Sequence, residues 1–168
     1  VKRFITDSKY KGVMNNKIIG KIIQICSPII YSFFKIYWFI FRPATFGVKC
    51  LIENEGKILM IRNTYGHKSW NFPGGIIDKK ETATEAVRRE VIEEVGIKIE
   101  NLNRIGQFKS ISEYKRETVQ VFIAKSKTRD FHIDYKEILE ARWFDPFQLP
   151  KISDYAEKVI FIWNSKQY

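Results

Sequence analysis

Three glutamates, Glu90, Glu93 and Glu94, stand at i, i+3 and i+4 in a stretch whose apolar residues recur every four positions. At about 100° per residue, Ala83, Val87, Val91 and Val95 form one stripe of a helix, and the three carboxylates fall in a sector of about 100° on one edge of it. Glu94 overlaps the stripe. A solvated acidic face would put its carboxylates on the opposite side, where Glu85, Arg88 and Arg89 lie. Carboxylates crowded beside an apolar surface repel one another and resist desolvation unless a cation sits among them. Hard oxygen ligands in this number suit Mg²⁺ or Mn²⁺, ions that keep several waters and meet substrate phosphates. Just upstream, Pro73, Gly74 and Gly75 deliver the chain from an extended stretch to the helix. Such a pair of glycines is more often simply a turn, but a backbone without side chains also approaches a metal or a phosphate closely.

The whole stretch from Gly75 to Ile97 reads GIIDKKETATEAVRREVIEEVGI, with Gly75, Glu81, Arg89, Glu90, Val91, Glu93, Glu94, Gly96 and Ile97 in the spacing G-x5-E-x7-R-E-U-x-E-E-x-G-U, where U is aliphatic. It resembles the Nudix box at every defined position, a match that chance would give with a probability of roughly 10⁻⁸ to 10⁻⁷. The segments RPATFGVK, GKILMIR, SWNFPGG and ARWFDPFQLP look like further parts of that family. The likeness covers residues 43–168, the expected domain, and leaves residues 1–42 aside.

The resemblance implies an α/β fold, a Nudix-type α/β/α sandwich with a mixed sheet. It implies a pyrophosphohydrolase that splits a diphosphate bond in a nucleoside diphosphate linked to another moiety, a nucleoside triphosphate in the ordinary case. Mg²⁺ or Mn²⁺ would be held by Glu90, Glu93, Glu94 and the carbonyl of Gly75. Glu90 or Glu93 would take the proton from the attacking water, with Arg89 orienting a glutamate. Glu81 is explained adequately by its place at the helix start, where a carboxylate meets the dipole; its match to the box adds a role near the metals. In relatives the region of Glu137 and Glu140 often supplies another carboxylate, against which stands the plainer reading of both as loop acids.

For the substrate, Tyr114 lies where family members that act on dinucleoside polyphosphates or RNA 5′ ends often carry a tyrosine, and Arg116 beside it suits phosphate. This alternative stands beside the nucleoside triphosphate reading. Trp70, close to the loop that enters the box, is a candidate for a nucleobase contact as well as for the core. A second alternative, a nucleotide-sensing module without catalysis, would be expected to have lost box carboxylates, and none is lost. His67 and His132 are isolated from any zinc-like spacing, and Cys26 and Cys50 fit buried small hydrophobes in a reducing compartment.

The elements that must position these residues follow from the pattern. Phe46 to Glu53 and Lys57 to Arg62 are apolar runs around the turn residues Asn54, Glu55 and Gly56, which predicts a hairpin. A short extended piece, Ser69 to Phe72, leads to the glycine loop. Thr82 to Val95 is the helix, stopped by Gly96. Ile97 to Phe108, Glu117 to Lys125 and Leu139 to Phe144 are expected strands, and Ser153 to Lys166 a closing helix.

The formal net charge is +10 over 168 residues. It is not spread evenly. Residues 1–49 carry nine Lys/Arg against one acid, so the remainder is close to neutral and a basic RNA-binding protein is disfavoured. Residues 18–41 alternate polar positions (Lys21, Gln24, Ser32, Lys35) with Ile, Phe, Tyr and Trp at helical spacing. An amphipathic helix interrupted at Pro28 and ended at Arg42-Pro43 is expected, lying on an anionic membrane surface or packing on the domain or across a homodimer. A cytoplasmic location, at the inner face of the membrane in the first case, follows from the need to meet nucleotides.

Overall fold

The computed structural model describes residues 44–65, 68–112 and 115–166. The expected helix of residues 18–41, together with Tyr114 and His67, lies outside them.

Strand β1, Ala44–Asn54, and strand β2, Lys57–Asn63, make the expected antiparallel hairpin. Its turn places Glu55 at φ 47° and Gly56 at φ 74°, the left-handed pair that a two-residue connection between twisted strands requires. Helix α1, Ala83–Val95, is followed by β3, Glu100–Ser112, β4, Lys115–Lys125, β5, Ile138–Phe144, and helix α2, Asp154–Asn164. The five strands lie in the order β3-β4-β1-β2-β5. The β1 and β4 pair is parallel and the others are antiparallel, so the sheet is mixed.

The central place of β1 explains its composition. Val48, Cys50, Leu51 and Ile52 are all buried, because a strand covered on both faces is apolar on both. Val48, Cys50, Ile52, Leu59 and Ile61 meet Val87, Val91 and Val95 of α1 on one face. Leu51, Ile58, Met60, Phe72 and Val121 meet Ala156 and Val159 of α2 on the other. This is the α/β/α sandwich, and the predicted stripe of α1 is the surface that enters its core.

The ends of β3 and the start of α1 differ from expectation for physical reasons. Ile97 and Ile99 are buried in the α1-side core before ladder pairing starts, so β3 begins at Glu100 and continues to the tip of its hairpin with β4. The cap of α1 is Thr82, whose hydroxyl accepts the Glu85 N–H at 3.2 Å while Glu85 accepts the Thr82 N–H at 2.8 Å. That capping box releases Glu81 from the role of helix cap. Ser153 caps α2 as expected, accepting the N–H of Ala156. Among the described residues no helix is long and apolar enough to cross a membrane.

Candidate active site

The loop between β2 and α1 is fixed by backbone hydrogen bonds before any functional side chain is considered. Ile61 and Asn71 exchange both bonds at 2.8 and 2.9 Å, Cys50 N–H reaches Pro73 O at 2.9 Å, and Val48 N–H reaches Gly75 O at 2.9 Å. Pro73, Gly74 and Gly75 therefore lie along the central strand. Gly74 has φ 131°, and an added Cβ would lie 2.3 Å from the Val48 carbonyl oxygen, so only glycine fits. At Gly75 an added Cβ would meet the Glu90 carboxylate at 2.4 to 2.8 Å. The missing side chain is what lets Glu90 approach the loop.

Helix α1 brings its three carboxylates to this loop at different depths. Glu94 is 3% exposed and accepts the N–H of Gly74 at 2.8 Å. Burial pushes its carboxyl up to about 7, against the pull of Lys49 and the Gly74 N–H. Glu90 is largely covered, and burial raises its pKa too, opposed by Arg89. Glu93 is the most open, with 58% of its side chain exposed.

Arg89 joins the set together. Its Nε and one terminal nitrogen hold Glu81 through both carboxylate oxygens at 2.8 and 2.9 Å. The other terminal nitrogen donates to Glu90 at 2.9 Å and to Glu93 at 3.1 Å, and the guanidinium also reaches Ile76 O at 3.1 Å. Such planar, many-armed recognition is specific to arginine. The bond from Arg89 holds the Glu81 carboxyl below the usual range. Glu81 is thus a partner of Arg89, which its sequence position alone did not reveal.

Two residues join the site that the residue pattern left open or missed. Glu137 has its carboxyl raised by burial and by Asp134 and Glu93, and it acts in turn on Glu90 and Glu94. Glu140 instead pairs with Arg62 at 3.2 Å and with Arg142 on the sheet. Glu140 lies on β5 and not in a loop, and of the two only Glu137, in the loop before it, acts electrostatically on the box glutamates. Tyr65, two residues beyond β2, has its phenol raised by partial burial and then by Glu137, Glu94 and Glu90. Its neighbour Thr64 is tied to the same loop, the Thr64 N–H donating to Glu137 O at 2.8 Å. An adjacent aromatic in a loop offers no periodicity from which this placement could be read.

Other expected contacts fall elsewhere. Trp70 is 9% exposed and sits in the α2-side core, edge-on to Phe144 at 4.7 Å with Arg62 over its ring at 5.7 Å. Arg116 is exposed and in register with Ala44, whereas Val48, which binds Gly75 O, is in register with Gln120. Four strand residues, about 13 Å, separate the two places. Cys50 is buried, His132 is exposed, and neither joins the carboxylates.

The donors fit a hard divalent cation. They are oxygens only, and the Gly75 carbonyl spends one lone pair on Val48 N–H and keeps the other. An added Cβ on Gly47 would lie 3.0 Å from that oxygen, so the approach to it is kept clear by two glycines. Among the described residues no three acidic, histidine or cysteine side chains stand as a ready-made cage, and the guanidinium of Arg89 lies among Glu81, Glu90 and Glu93.

Comparison with known proteins agrees with this fold. The model of the NUDIX domain matches residues 42–162. The chain is 26% identical over 113 residues to an oxidized purine nucleoside triphosphate hydrolase of Danio rerio, covering 66% of this chain and 72% of that protein. It is 37% identical over 100 residues to the NAD-capped RNA hydrolase NudC of Escherichia coli O9:H4 (strain HS), 59% of this chain but only 38% of NudC. Among solved structures, a MutT NUDIX hydrolase from Burkholderia pseudomallei superposes with a TM-score of 0.66 at 22% identity, over 70% of this chain and 96% of that one. A UDP-X diphosphatase superposes with a TM-score of 0.63 at 27% identity, over 74% and 63% of the two chains. With its sandwich fold, its complete box and a family match over most of its length, the chain belongs to the Nudix hydrolase family.

Proposed function

We propose that the enzyme hydrolyses a diphosphate bond in a nucleoside diphosphate linked to another moiety, with nucleoside triphosphates as the first class of substrate. The observation that carries this reading is the convergence of Glu90 on Gly75 and of Glu94 on Gly74, which sets carboxylate and carbonyl oxygens around one loop. Glu90, Glu93, Glu94 and the Gly75 carbonyl would hold Mg²⁺ or Mn²⁺, which when bound supplies neutralisation of phosphate oxygens and a more acidic water.

The chain's own residues supply the rest. Arg89 locks Glu81, Glu90 and Glu93 in one arrangement, so that the carboxylates meet a substrate without first having to reorganise. Glu90 and Glu93 are the candidates for the proton of the attacking water, and Glu137 joins them. A raised carboxyl pKa, as at Glu90 and Glu137, makes the carboxylate a stronger base. The named substrates of the relatives, oxidized purine nucleoside triphosphates and NAD-capped RNA, support a nucleotide and add dinucleotides to the panel.

The test is incubation with Mg²⁺ and nucleoside triphosphates, dinucleoside polyphosphates, nucleotide sugars, ADP-ribose and triphosphorylated RNA, with chromatographic detection. Turnover of one class, abolished in Glu93→Gln, supports the proposal; no turnover with tight metal-dependent binding would make the protein a sensor. The proposal extends to residues 1–42 as an arm, separate from the domain of residues 43–168, that brings the enzyme to anionic lipid. Flotation with and without anionic vesicles tests it.

A further inference from the structure

Lys49 lies outside the box, on the central strand, and its ammonium donates to Phe72 O at 2.8 Å and to Gly74 O at 2.7 Å. These carbonyls flank Pro73, which has no N–H of its own to tie the loop. The loop is therefore held from both sides. Cys50 N–H and Val48 N–H take Pro73 O and Gly75 O, and Lys49 takes the two carbonyls between and before them. All four successive carbonyls from Phe72 to Gly75 are thus bound by three consecutive residues of β1, Val48, Lys49 and Cys50. Between the two carbonyls that Lys49 holds lies the Pro73–Gly74 peptide, its oxygen on Cys50 N–H and its Gly74 N–H directed to the buried Glu94 at 2.8 Å. The next carbonyl, that of Gly75, is set beside Glu90.

From this geometry we propose that Lys49 is a positioning residue for the cation site: by chelating the Phe72 and Gly74 carbonyls it sets the loop that aims Gly74 N–H at Glu94 and Gly75 O at the site. This rests on the reading that Gly75, Glu90, Glu93 and Glu94 hold a divalent cation. A methionine of similar length removes both bonds, and an arginine, with its forked donors, restores them in part.

The probe is Mn²⁺ alone, its free fraction measured by electron paramagnetic resonance on the full chain, with circular dichroism to establish folding. Lys49→Met is expected to weaken Mn²⁺ binding about tenfold or more, as loss of groups that orient ligands does. At saturating metal it should lower kcat while leaving the nucleotide KM within about threefold, and Lys49→Arg should recover part of both losses. Amide exchange at Gly74 should quicken in Lys49→Met well below its melting temperature, a local change that a general loss of stability would not single out. If Lys49→Met does not fold, Lys49→Gln and Lys49→Arg take its place in the same titration. Mn²⁺ affinity equal to wild type in the folded variants would overturn the proposal. Wild-type protein that binds no Mn²⁺ and turns over no nucleotide would instead overturn the reading of the site on which it rests.

Discussion

Gly74 and Gly75 are neighbours in the sequence, yet replacing each with alanine should fail in opposite ways. At Gly75 the backbone lies outside the left-handed region, so alanine is allowed there, and restriction of the unfolded chain favours it by about 0.4–1 kcal/mol. What the new Cβ meets is the end of a flexible side chain, the Glu90 carboxylate at 2.4 Å. Moving that carboxylate to ordinary contact distance takes about 1 Å and pulls it from Arg89, which holds it at 2.9 Å. A misplacement of about 1 Å in a reacting constellation costs on the order of 10²-fold in rate, or about 2.7 kcal/mol in the transition state. At Gly74 the added Cβ meets a backbone oxygen at 2.3 Å with φ at 131°, where nothing is free to yield. Gly74→Ala should lose several kcal/mol of stability. Urea melts and Mg²⁺-dependent turnover of both variants decide the matter: Gly75→Ala should melt like wild type or slightly later while kcat falls on the order of a hundredfold. Wild-type kcat in Gly75→Ala, or a loss of activity that merely follows a loss of stability, would refute the assignment of that contact to function.

In EDTA, the Glu94 carboxyl, raised by burial from 4.5 to about 7, binds a proton more tightly in the folded than in the unfolded chain. Its contribution is therefore full below about pH 4.5 and lost as pH rises through 7; the melting temperature of the metal-free protein should fall over that window, and Glu94→Gln should flatten the fall. Glu137→Gln should lower kcat on the order of 10²-fold, whereas Glu140→Gln, which loses only a pairing with Arg62 and Arg142, should leave turnover unchanged; equal effects would show that the two acids had been misassigned. Glu81→Gln removes one charge from the two-point hold on Arg89 and should cut kcat about tenfold with little change in KM, checked by steady-state kinetics.

Much of this arrangement was legible because it depends on short-range periodicity. The stripe Val87, Val91 and Val95 and the carboxylates on its edge belong to one helix, and 3.6 residues per turn fixes their relation before any tertiary contact forms. The hairpin was legible from Asn54, Glu55 and Gly56 for the same reason. What escaped was long-range. Lys49 precedes Gly74 by 25 residues, and nothing in the run GVKCLI distinguishes a lysine that binds two carbonyls from one in solvent. Tyr65 was not singled out at all, and Glu137 was named only beside Glu140 with no means of choosing between them, because the neighbourhood of the segment after β2 and the loop before β5 exists only once β2 and β5 have paired. Glu81 was legible as a box residue but not as a partner of Arg89. Eight residues separate them, and the chain must turn at the capping box for the two to meet.

The charges gathered here explain why the helix carrying them can afford its buried glutamates only in part. Glu81, Glu90, Glu93, Glu94 and Glu137, with Asp134 beside the last, bring six carboxylates together, and Arg89, Lys49 and Lys136 are the cations set against them. With all groups ionised, the set has a deficit of three charges in a half-buried place. The protein relieves some of it by letting Glu94 hold a proton near neutral pH and by raising Glu90 and Glu137. It withstands the rest because the stability of α1 comes from elsewhere. Val87, Val91 and Val95 are fully buried, each worth about 1.5–3 kcal/mol, and the capping box adds on the order of 1 kcal/mol. A site built for its own stability would exchange Glu94 for an apolar residue and would have no use for Lys49. The retained excess of negative charge, beside a carbonyl kept open by two glycines, is what the proposed divalent cation would neutralise.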